Sequence, residues 1–76
     1  MARAGSVFDE VVRSAAAGLD LEETTALVHT IVGFSRPPVE EARRRCRDEL
    51  SKQENDPVLR RALQLLDGVL AAGLLE

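Results

Sequence analysis

Apolar positions along this chain recur with the spacing of helices. Phe8, Val11, Val12, Ala15 and Leu19 form one stripe; Leu21, Thr24, Val28, Ile31 and Val32 form a second; Val39, Ala42, Cys46 and Leu50 form a third, narrower one. The fourth is double: Leu59, Leu63, Leu66, Leu70 and Leu74 run beside Val58, Ala62, Leu65, Val69 and Ala72. Polar punctuation separates the four. Ser6, Asp20 and Asp56 stand where N-caps belong, with Asp9 and Glu23 completing capping boxes behind the first two. Gly18, Gly33 and Asn55 stand where helices should stop. Pro38 and Pro57 suit first turns, and Arg36, ahead of Pro37, is expected to leave the helical region. The run Ala26–Val32 is rich in β-branched residues, but no second strand exists to pair with it.

The pattern predicts an all-α, compact four-helix domain with short loops, its helices covering 7–17, 21–32, 38–54 and 57–72. Residues 1–5 are expected to form a flexible tail and 6–76 a single domain. With 76 residues there is no room for a second core, and a chain this short buries about 60–65% of its unfolded surface. Met1 and the short tail suggest a whole gene product.

The fourth helix is apolar around about two-thirds of its circumference, more than a helix lying on one core requires. Two arrangements satisfy it. Either it is the central helix, with the others packed around it, or one stripe faces the core and the other a partner. The second arrangement makes Leu65, Val69, Ala72, Leu74 and Leu75 an interface. Gly68, inside that helix, would admit a close neighbour or is simply tolerated.

Composition narrows the chemistry. The formal net charge is −3, which disfavours a general nucleic-acid binder, although four of the ten basic residues cluster at Arg43, Arg44, Arg45 and Arg47. Glu40–Arg44, Glu41–Arg45, Arg44–Asp48 and Arg45–Glu49 are spaced to pair along the third helix. The longest uncharged stretch, Thr24 to Ser35, has 12 residues, too short to cross a bilayer. Nothing resembles a signal peptide, and a lone Cys46 forms no disulfide within the chain, so a cytoplasmic protein is expected. Cys46 and His29 are the only nucleophile–base pair on offer. Cys46 lies on an inner stripe and His29 at the edge of another, where a core thiol and a boundary histidine belong. No catalytic, cofactor-binding or metal site is expected.

One segment carries a more specific signal. Gly33-Phe34-Ser35-Arg36-Pro37-Pro38-Val39-Glu40-Glu41-Ala42, followed by three arginines, resembles the turn and recognition helix of helix-turn-helix regulators, in particular the GntR-type repressors. That resemblance implies phosphate contacts from Ser35 and Arg36, and base or backbone contacts from Arg43 and Arg44. Val28, Val32, Val39 and Cys46 would hold the two helices together. The segment departs from the pattern at His29, where a small residue is usual, and at Glu40, where a basic one is usual. No β-hairpin wing follows.

The leading expectation is therefore a non-enzymatic protein–protein interaction module. It would act through its last helix, as a homodimer or as an adaptor for a partner protein. The alternative is a small helix-turn-helix DNA-binding regulator.

Overall fold

A computed structural model describes residues 7–73 and Leu75. It contains four helices: α1 (Val7–Ala17), α2 (Leu21–Val32), α3 (Pro37–Lys52) and α4 (Pro57–Ala71). The described residues form an all-α four-helix domain with short connections. The capping expected from Ser6 and the tail before it lie outside the described residues.

Local hydrogen bonding explains most helix ends. After α1, Gly18 takes φ +80°, its amide bonds to Ala15 O at 3.2 Å, and the Leu19 amide bonds to Ser14 O at 3.0 Å. This paired arrangement needs a left-handed residue, and glycine adopts that conformation without a Cβ penalty. Asp20 then opens α2 with a full capping box. The Glu23 amide donates to Asp20 Oδ1 at 2.8 Å, and the Asp20 amide donates to Glu23 Oε1 at 3.1 Å. Asp56 Oδ1 accepts from the amides of Val58 and Leu59, opening α4.

The third helix departs from expectation at both ends. It starts at Pro37 rather than Pro38, and Arg36 is helical, at φ −80° and ψ −41°. Pro37 and Pro38 bring no amide hydrogens, so part of the usual set of orphan donors is missing. The next two amides, of Val39 and Glu40, both donate to Arg36 O at 3.0 Å, which requires the turned-in backbone. At the other end α3 stops at Lys52. Residues 53–56 form a tight turn closed by the Asp56 amide on Gln53 O at 3.1 Å, with Asn55 inside it. Asp56 must be extended to cap α4, and that shortens the helix before it.

The core is built around α4, which packs against α1 and α3 and, less extensively, α2. Leu65 and Val69 are 0% and 1% exposed. The expectation that this stripe stands free as a partner surface is corrected: both residues pack in the chain's own core. Leu59, Ala62 and Leu66 join them, with Val7 and Val11 from α1, Val28 from α2, and Val39, Ala42 and Cys46 from α3. Leu75, also assigned to the interface, is 7% exposed, because Gly73 at φ +73° ends α4 and returns the chain to the core. Ala72 is exposed, and Leu74 lies outside the described residues.

Two details qualify the stripes. In α1 the buried line is Val7, Val11 and Ser14, with Phe8, Val12 and Ala15 beside it rather than at its centre. Ser14 Oγ and Thr24 Oγ1 are buried without a hydrogen-bond partner among the described residues, each a desolvation cost of about 1–3 kcal/mol. Gly68 admits a close neighbour from within the chain. A Cβ built there would lie 2.7 Å and 2.9 Å from the two Cδ atoms of Leu21.

Candidate docking surfaces on the third helix

Helix α3 is anchored by one face and presents the others to solvent. The anchor is Val39, Ala42 and Cys46, all buried. Cys46 Sγ donates to Leu59 O at 3.2 Å, tying α3 to the first turn of α4. Burial pushes the Cys46 thiol up from its ordinary range, and the carboxylates of Asp67, Asp56 and Glu49 push the same way. A thiol held protonated is a weak nucleophile. His29 has a different neighbour: its ring lies 4.9 Å from that of Phe34, tilted by 55°, and its Nε2 is buried without a partner. No hydrogen bond joins His29 to Cys46 among the described residues. Nor do these residues contain a group of His, Cys, Asp and Glu able to hold a metal ion, or a helix long and apolar enough to cross a membrane.

Helices α2 and α3 scarcely touch each other; each packs instead on α1 and α4. Val28, Val32, Val39 and Cys46 share one core with α1 and α4 rather than forming a two-helix unit of their own. Val28, Val39 and Cys46 are buried within the shared core. Between α2 and α3 lies an open trough of about 710 Å³. Val7 and Phe8 of α1, Ile31 and Val32 of α2, and Pro38 and Ala42 of α3 give it an apolar lining. Glu41, Arg44, Arg45 and Asp48 form its charged wall. The Arg45 guanidinium sits 4.4 Å from the centroid of the Phe8 ring, a cation–π contact that holds both side chains in place. On the connection between the two helices, Phe34 is 57% exposed.

The opposite side of α3 faces α4 across a second groove, of about 610 Å³. Arg36, Glu40, Arg43, Arg44 and Arg47 line it from one wall, and Asp67, Leu70 and Ala71 from the other. Arg36 Nε is paired with Glu40 at 2.7 Å, and Arg43 Nε with Asp67 of α4. Arg44 and Arg47 are exposed and make no ion pair among the described residues. None of the four ion pairs expected along α3 forms. The pairs present within the helix and its cap are Arg36–Glu40 and Asp48–Lys52, the latter at 3.6 Å. An exposed i,i+4 pair stabilises by only a few tenths of a kcal/mol, so Arg45 turns to the Phe8 ring instead, while Arg43, with no carboxylate four residues away on its helix, pairs with Asp67.

Of the residues singled out for DNA contact, the structure brings Arg36, Arg43 and Arg44 into this one groove. Ser35 does not line it; its amide bonds back to Val32 O at 3.2 Å. Arg47, not among those residues, lines the groove as well. Its signal was the spacing 36, 40, 43, 44 and 47, which follows one face of a helix. Asp67, 24 residues beyond Arg43, has no comparable signal in the chain.

A comparison of the chain with protein-family models, curated proteins and solved structures finds no match, so the likeness to GntR-type repressors remains that of one short segment.

Proposed function

We propose that this protein is a non-enzymatic interaction module that docks an amphipathic helical segment of a partner protein in the trough between α1, α2 and α3. The observation that carries this reading is the trough itself, an apolar floor left open where α2 and α3 make little contact. An apolar centre with a polar rim is the anatomy of a protein interface. The rim carries both signs, Glu41 and Asp48 beside Arg44 and Arg45, which suits a polypeptide of mixed charge better than a polyanion.

The test is a titration of isotope-labelled protein with a leucine-rich amphipathic helical peptide, followed by amide chemical shifts. Shifts should concentrate at Phe8, Ile31, Val32 and Ala42, leave Arg61 and Gln64 unmoved, and vanish in Ile31→Glu. An absence of shifts at about 1 mM peptide, a free energy near −4 kcal/mol, would sink the reading. Concentration-dependent mass in sedimentation, with the same residues protected, would put a second copy in the trough instead.

DNA binding by α3, through Ser35, Arg36, Arg43 and Arg44, is the second reading. The unpaired Arg44 supports it. Against it stand the loose α2–α3 contact and the carboxylates that already occupy Arg36 and Arg43.

A further inference from the structure

The groove between α3 and α4 shares only Arg44 with the trough, and its chemistry is more selective. It gathers four arginines against two carboxylates on a chain whose formal net charge is −3. Glu40 and Asp67 each engage one arginine, and Arg44 and Arg47 are left over. These two stand three residues apart on one helical face, where Cβ atoms are about 5–6 Å apart. An exposed guanidinium with no acceptor can take a carboxylate in two parallel hydrogen bonds. Across the groove, Leu70 and Ala71 add an apolar strip.

We propose that this groove binds an acidic segment of a partner polypeptide, with carboxylates on Arg44 and Arg47 and an apolar side chain over Leu70 and Ala71. A nucleic acid satisfies the same arginines less well. Duplex DNA carries one negative charge per about 1.7 Å of its axis. That density would be forced against Glu40 and Asp67 inside the groove and against the net negative charge of the molecule outside it. A peptide can put its carboxylates at the two free cations and apolar atoms between them.

The experiment is fluorescence anisotropy with a labelled peptide of Glu-Glu-Leu repeats, at low and then moderate salt, beside a Lys-Lys-Leu peptide and a random-sequence DNA duplex. The Glu-Glu-Leu peptide should bind saturably and lose affinity with salt. Arg47→Glu should weaken it at least tenfold, and Arg47→Ala by less. Arg47 makes no ion pair and is exposed, so both variants should keep the helical circular dichroism of the parent. Ile31→Gln, an uncharged change in the trough, should leave this titration unchanged, which separates failure of this site from failure of the trough. The proposal is overturned by a flat titration, by equal binding of the Lys-Lys-Leu peptide, or by indifference to Arg47→Glu. Tighter binding of the duplex than of the acidic peptide, lost in Arg47→Glu, would overturn it too and assign the groove to nucleic acid.

Discussion

Cys46 shows how far surroundings can redirect a residue's chemistry. Four arginines share its helix within three residues on either side, a sequence neighbourhood that would make an exposed thiol acidic and reactive. The fold instead turns the sulfur inward, away from solvent, and sets it against Leu59 O with Asp67, Asp56 and Glu49 as the charged groups acting on it. All of those influences favour the neutral thiol. An acid whose pKa is higher in the folded chain than in the unfolded one contributes its full stability below its ordinary value of 9.0, and that contribution is lost as pH rises past it. The chain has no tyrosine and one lysine, Lys52, so few other side chains titrate in that range. Urea unfolding at pH 7 and pH 10 should show the parent protein losing stability and Cys46→Ala losing much less. Equal slopes in the two proteins would mean that the thiol is not held neutral by the fold.

Between elements, α2 and α4 meet where Leu21 packs over Gly68. Gly68 costs α4 about 1 kcal/mol of helix propensity relative to alanine, and the two methyl groups of Leu21 occupy the space a Cβ would need. Leu21 is 41% exposed and its side-chain end is free to swing, so the obstruction is soft. Gly68→Ala alone should therefore be close to neutral, with propensity gained and Leu21 displaced. In a Leu21→Ala background the same change should stabilise by about 1 kcal/mol. Thermal unfolding of the four proteins in the cycle measures the coupling; the idea fails if Gly68→Ala has the same effect in both backgrounds. The Arg43–Asp67 pair joins α3 to α4 on the surface. With both side chains more than a third exposed, it belongs among exposed ion pairs, whose contribution lies between about 0 and 1 kcal/mol. It orients the α3–α4 groove more than it stabilises the fold.

For the molecule as a whole, α4 is the element on which the others depend. A domain of this size has a margin of about 3–5 kcal/mol at most, and truncating one fully buried leucine costs about 2–5 kcal/mol. Leu65→Ala should leave the protein marginal, and Leu65→Glu should abolish its helical circular dichroism at room temperature. A folded Leu65→Glu protein would show that the stripe tolerates water and would return α4 to consideration as a partner surface. The same economy explains the trough. With three short helices packed on α4, every pair makes extensive contact except α2 with α3, which is left open.

The helices themselves were legible in the chain because their signals act within a few residues. The Asp20–Glu23 box, the Asp56 cap with Pro57, and glycine after Ala17 are each satisfied by hydrogen bonds spanning no more than five residues. Their count, order and all-α class follow from such signals, as does the placement of Val39, Ala42 and Cys46 on the buried side of α3. Where a local signal missed, at Pro37 and Lys52, the cause was again nearby: two prolines without amide hydrogens, and a cap that had to be extended. What tertiary structure alone decided is what each surface meets. Leu65 and Val69 read equally well as core or as interface, because an apolar stripe records that it is covered and not by what. Arg43 pairs with a carboxylate 24 residues away, a partner that only the packing of α3 on α4 brings within reach. The gap between α2 and α3, and with it the trough beside α3, arises from how helices pack in space, a quantity that no periodicity along the chain encodes.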